Sequence, residues 1–119
     1  MVLQEPKHVR VSDVPCVNID MGQSVCVRVL FSSSEAPTYA MRVFEMDSGG
    51  HIDAHKHPWE HEIFVLEGRI RVRVGNRNYV LEPGSALYIP PNIEHEYWNE
   101  FDGKSKFICV IPVKPTVQG

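Results

Sequence analysis

Wherever this sequence is patterned, apolar and polar side chains alternate with period two, and almost nothing repeats at helical spacing. Such alternation puts successive side chains on opposite faces of an extended chain, so it predicts half-buried strands. Ser24–Phe31 and Tyr39–Met46 read as strands on either side of a Ser/Pro loop from Ser32 to Pro37. Glu62–Leu66 leads through Gly68 into Arg69–Val74, where Ile70, Val72 and Val74 take one face and Arg69, Arg71 and Arg73 the solvated other. Gly75-Asn76-Arg77-Asn78 reads as a hairpin loop into Tyr79–Leu81, and Glu82-Pro83-Gly84-Ser85 as a tight reversal into Ala86–Ile89. After Pro90-Pro91-Asn92, strands resume at His95–Trp98 and Lys106–Ile111. Short strands with turn signals every ~8–12 residues predict an all-β sandwich or barrel.

At 119 residues the chain is long enough for one domain and too short for two. The domain is read as residues 1–119, with a barrel core at about 24–112. The ends, Met1 to about Val14 and Val113 to Gly119, are weakly patterned and are expected to be arms, loose or packed on a partner subunit. A net charge of −3 gives no electrostatic reason for nucleic acid or anionic lipid. No run approaches the ~20 apolar residues of a membrane span, and the first residues lack the apolar stretch of a secretion signal. Cys16, Cys26 and Cys109, odd in number and widely spaced, do not read as a disulfide framework, so a reducing cytoplasm is expected.

Four of the six histidines, His51, His55, His57 and His61, fall within Gly49–Glu62. On a strand, His55 and His57 leave the same face ~6.5–7 Å apart at Cα, and two such imidazoles can converge on one metal ion. Pro58 stops ladder pairing, the chain turns through Trp59-Glu60, and His61 returns a third imidazole beside the pair. Alternation then groups His61 with Ile63 and Val65, and Glu62 with Phe64 and Leu66 on the opposite face. His95, some thirty residues on, says little by itself. His8 and His51 read as ordinary polar residues.

The spacing Gly49…His55-x-His57…His61…Gly68 resembles the first motif of the cupin family, and Gly84…Pro90-x-Asn92…His95…Asn99 its second. Asn92 stands where that family usually has glycine, and asparagine also tolerates left-handed backbone. The resemblance, from about Tyr39 to Ile111, implies a double-stranded β-helix, or jelly-roll barrel. The family usually has glutamate as its third ligand. His61 satisfies both spacings for that slot and Glu62 does not, so the resemblance is to the small four-histidine, manganese-binding cupins, with His55, His57, His61 and His95 on the metal.

Four neutral ligands would leave a divalent ion its full charge, favouring anionic co-ligands. The resemblance favours Mn(II), while Fe, Ni, Co, Cu and Zn also suit imidazole. Glu60, Glu62, Glu94 and Asn99 are close enough in sequence to orient the imidazoles. The pocket is expected to be apolar, with Ile52, Phe107, Cys109 and Ile111 as candidates beside the metal. Cys109 reads as a small core hydrophobe. Trp59 and Trp98 read as barrel-mouth or interface packing. Arg42 would anchor a substrate carboxylate if it points inward, and its strand has apolar residues on both faces, which leaves its direction open. The functional expectation is an oxygenase-type enzyme acting on a small organic molecule. The alternatives are a Lewis-acid isomerase or decarboxylase of a keto or sugar acid, or a non-catalytic binding module. A homodimer is expected, because small cupins commonly form one.

Overall fold

The computed structural model describes residues 2–113, so the C-terminal arm beyond Val113 lies outside the described residues. A single 3-10 turn, Val11–Asp13, is followed by nine strands. These are β1 Val17–Asn18, β2 Gly22–Phe31, β3 Tyr39–His55, β4 His61–Glu67, β5 Ile70–Val74, β6 Arg77–Leu81, β7 Ala86–Ile89, β8 His95–Trp98 and β9 Ser105–Pro112. Every pairing is antiparallel, in the order β6-β5-β8-β3-β9-β4-β7, with β2 also on β3 and β1 on β2. This rolled, nearly closed sheet is the jelly-roll barrel expected from the sequence.

The strand containing Tyr39–Met46 runs farther than alternation indicates, because it continues through two glycines to His55. Gly49 has φ of 81°, in the region that favours glycine, and bends the strand there. Tyr39–Met46 therefore pairs with β9 while His51–His55 pairs with β8. The bend brings the first half of the histidine segment against His95, with His55 directly opposite it in register. Buried Asn99 fixes the bend from below. Its Nδ2 donates to the carbonyls of Met46, Asp47 and Gly103, and its Oδ1 accepts from the Phe101 amide.

Period-two alternation is realised in β4, where His61, Ile63 and Val65 are buried and Glu62, Phe64 and Leu66 exposed. The same holds for Phe107 and Cys109 in β9, which face the interior. The core stacks Phe44 on Phe107 and Phe107 on Tyr97, at 5.1 and 5.5 Å between ring centroids. The outward arginines of β5 are ion-paired, Arg71 with Glu100 and Arg73 with Glu94 and Glu96. The β5–β6 hairpin is tighter than the sequence suggests. Val74 already pairs with Arg77, so the turn is Gly75-Asn76, with Gly75 at φ of 60°.

One expectation about the N-terminal part is corrected, and the arm itself is tied to its own barrel. Leu3 donates to the Glu35 carbonyl, Lys7 pairs with Glu35, and Arg28 hydrogen-bonds the carbonyl of Val14. Cys16 and Cys26 form a disulfide, with Cα atoms 5.4 Å apart, and only Cys109 is free. Strand β1 is two residues long, too short to register as alternation, yet its pairing with β2 places Asn18 opposite Cys26 and closes the loop. With it falls the argument for a reducing compartment from unpaired cysteines. No helix among the described residues is long and apolar enough to cross a membrane.

Denatured protein kept free of reductant is expected to titrate with about one thiol per chain, and reduced protein with about three. Three thiols without reductant would contradict the pairing.

Candidate metal centre

The bend in β3, the turn through Trp59-Glu60 and the opening of β8 carry four imidazoles to one point at the barrel's interior. One ligating atom from each of His55, His57, His61 and His95 lies within 4.8 Å of all the others. His61 and His95 are buried, and His55 and His57 half-buried. Ring centroids are 4.3 Å apart for His55 and His95, and 4.5 Å for His57 and His61. Asn92, at the rigid loop before His95, has φ of 64°, the left-handed angle anticipated for a residue in the glycine position. Its amide donates to the His57 carbonyl and ties the two histidine-bearing segments together.

Three imidazoles are oriented by backbone. Nδ1 of His55 donates to the Asp53 carbonyl at 2.7 Å, that of His57 to the Trp59 carbonyl at 3.0 Å, and that of His95 to the Ile93 carbonyl at 2.9 Å. A carbonyl only accepts, so in the neutral ring the proton is on Nδ1 and the Nε2 lone pair is free. The fourth differs: His61 Nδ1 contacts Cys109 Sγ at 3.0 Å. None of the expected orienting side chains is used. Glu94 pairs with Arg73, Asn99 holds the β3 bend, Glu62 faces outward beside Tyr88, and Glu60 makes no hydrogen bond to an imidazole. For His55, His57 and His95, a carbonyl close in sequence reaches Nδ1 without spending a side chain.

The arrangement fits a cation. Buried Nε2 of His95 has no hydrogen-bond partner among the described residues. Nε2 of His57 and of His61 face each other at 2.7 Å. An orphaned buried nitrogen is costly, and a metal ion converts converging lone pairs into ligands. The site also resists protonation. Burial, followed by the charges of neighbouring imidazoles, pushes His61 down to about 2. Burial pushes His95 down to about 4, and it lowers His57 as well. Neutral imidazole is the form that ligates.

Above the four histidines opens a cavity of about 430 Å³. Ile52, Phe107, Cys109 and Ile111 line it, and Arg42 points into it, the direction that periodicity left open. Trp59 lines the mouth and lies flat on His57 at 4.1 Å, whereas Trp98 stacks on His51 outside. His51 Nε2 is 2.6 Å from Glu96, and His8 is exposed, so neither joins the group. Cys109 is more than a core filler, because its sulfur also accepts from Arg42 Nη2 at 3.1 Å. Tyr97, Ile19 and Met21 line the cavity without having been singled out from the sequence. The position of Tyr97, two residues after His95 on one strand face, was the available signal. Ile19 and Met21 follow β1, the segment that the disulfide holds against β2.

Residues 42–111 match the family model for the Cupin domain, which is more than half of the chain. The chain belongs to the cupin family. Among curated relatives, this cupin is 30% identical over 89 residues to the 1-methylthio-D-xylulose 5-phosphate methylsulfurylase of Rhodospirillum rubrum, covering 75% of this chain and 56% of that one. It is 30% identical over 64 residues to the polyketide synthase CurC of Streptomyces cyaneus, covering 53% of this chain and 42% of that protein. The chain thus spans about half the length of these curated relatives. Among solved structures, the polyketide cyclase RemF of Streptomyces resistomycificus superposes with a TM-score of 0.85 at 27% identity, over 92% of this chain and 80% of that one.

Proposed function

We propose that this cupin is a metal-dependent enzyme of the oxygenase type, with one divalent ion, Mn(II) first, held by His55, His57, His61 and His95. The observation that carries the reading is four converging imidazole nitrogens at the floor of an apolar cavity with no aspartate or glutamate among the described residues of its lining. A divalent ion bound there supplies a Lewis-acidic, redox-capable centre with its charge undiminished by any carboxylate ligand.

The protein's own groups favour chemistry that needs no protein base. Nδ1 of three histidines is committed to carbonyls, so those rings offer no second nitrogen for proton transfer. Burial raises the Cys109 thiol and holds the Tyr97 hydroxyl well above its usual range, so both stay protonated at neutral pH. Phe44, Phe107 and Ile111 exclude water from a small organic substrate and set its orientation. The likeness to a polyketide cyclase supports a second reading, Lewis-acid ring closure, isomerisation or decarboxylation without a redox step. A homodimer completes the reading, supported by the exposed apolar side chains Phe64, Leu66 and Tyr88 on neighbouring strands β4 and β7.

Oxygen uptake by Mn(II)-loaded protein against a panel of aromatic and keto acids tests the choice. The oxygenase reading expects uptake to match substrate loss and to cease under argon. Equal turnover under argon would replace it with the Lewis-acid reading, and tight binding without turnover with a non-catalytic module.

A further inference from the structure

We propose that Arg42 is the recognition group for a carboxylate on an otherwise apolar substrate, held in the same cavity as the four histidines. The inference rests on the reading of that cavity as the substrate site.

Arg42 stands apart from the other arginines of the barrel wall. Arg28 pairs with Glu45, Arg71 with Glu100, and Arg73 with Glu94 and Glu96. Arg42 lies in β3 opposite Cys109 of β9, points inward, and has no carboxylate partner among the described residues. Its guanidinium is held from two sides, with the carbon 5.0 Å from the Phe44 ring centroid and Nη2 donating to Cys109 Sγ. Its Nε is buried with no hydrogen-bond partner. A guanidinium cannot shed its proton, so this charge is neither paired nor neutralised within the protein. A half-buried guanidinium whose Nε is desolvated without a partner faces the cavity unpaired, where an anion would complete it.

The charge inventory of the cavity says the same. Among the described residues the lining holds Arg42 and, at the rim, Lys56, against no acidic residue. A divalent ion on four neutral ligands would add to the positive side. The rest of the lining is apolar or aromatic, which limits the guest to an apolar body with a compact anionic head. Among such heads, a carboxylate matches the planar guanidinium fork. Cys109 connects the two anchors, since one sulfur contacts both Arg42 Nη2 and His61 Nδ1. A carboxylate on Arg42 therefore places the substrate's neighbouring atoms beside the imidazole group.

The test uses benzoate and its neutral isostere benzamide, titrated by calorimetry into EDTA-treated protein and into Zn(II)-loaded protein. Benzoate is expected to bind saturably and more tightly than benzamide. Arg42→Gln is expected to weaken benzoate by about tenfold or more and leave benzamide within about threefold. Arg42→Lys is expected to recover only part, because an ammonium lacks the fork. In wild-type protein, benzoate is expected to shift the Arg42 Nε–H resonance, a readout that needs no variant. Equal affinity for the two probes, no saturable benzoate binding, or unchanged benzoate affinity in Arg42→Gln would overturn the proposal. Arg42-dependent benzoate binding in protein that takes up no metal would uphold it while refuting the metal-dependent reading. Metal uptake with benzoate binding indifferent to Arg42 would do the reverse.

Discussion

Replacing His57 by alanine is expected to weaken metal binding at least ~100-fold, so that metal-loaded protein cannot be isolated by gel filtration. His57 is half-buried at the cavity floor, and its ring is fixed by the Trp59 carbonyl on one side and the flat face of Trp59 on the other. Its removal therefore deletes a pre-oriented ligand with little loss of core packing, and the melting temperature of metal-free protein should change little. His61→Ala is expected to be equally damaging to metal uptake, since Nε2 of the two rings sit 2.7 Å apart. Glu62→Gln is the contrasting variant. Glu62 is exposed on the outer face of β4, opposite to His61, and its replacement should leave metal content intact. Metal loss in Glu62→Gln, or retention in His57→Ala, measured by elemental analysis, would contradict the ligand assignment.

Metal-free protein is expected to lose roughly 5–10 °C of melting temperature between pH 6.5 and pH 5. The direction follows from burial. His61 is pushed down to about 2 and His95 to about 4, while the unfolded chain titrates at the ordinary 6.5. Below that ordinary value the unfolded state binds protons that the folded state refuses. The stabilisation is complete above 6.5 and declines as pH falls toward the folded values. Carboxylates contribute in a lower window. For Glu45, burial acts upward but is outweighed by hydrogen bonds from Arg28 and Lys104, which hold it below its ordinary 4.5. Its stabilisation is lost only as pH falls below that value, so the window from 6.5 to 5 isolates the histidines. Calorimetric melting across that window should show a shallower slope for His61→Gln than for wild type. A flat wild-type profile would contradict burial of these rings in the neutral form. The same depression keeps His61 and His95 deprotonated in mild acid. Metal uptake should therefore persist below pH 6, where four exposed imidazoles would already be protonated.

What could be read from sequence follows from the period of the signal. In β4, one register decides every side chain at once, so a single alternating run placed His61 inside and Glu62 outside. The same logic put Phe107, Cys109 and Ile111 toward the cavity. Arg42 was undecidable by that rule because β3 is covered on both faces there, by the cavity on one and buried Val43 on the other. Only the pairing of Arg42 with Cys109 across β3 and β9 fixes its direction. The Cys16–Cys26 disulfide was missed because β1 offers two residues, below the length at which alternation means anything. The continuation of β3 to His55 was hidden by Gly49 and Gly50, residues that ordinarily interrupt a strand and here bend one. The orienting groups of the imidazoles were illegible for another reason: three of the four are backbone carbonyls, which carry no residue identity.

Four imidazoles, and no carboxylate, are expected to hold one divalent ion. Electron spin-echo spectroscopy of protein reconstituted with Mn(II) after EDTA treatment addresses this most directly. The expected result is about one ion per chain, with couplings from several imidazole nitrogens that weaken on loss of His57 or His61 and are untouched by Glu62→Gln. A chain that binds no Mn(II), or binds it without imidazole nitrogen couplings, would rule out a four-histidine site.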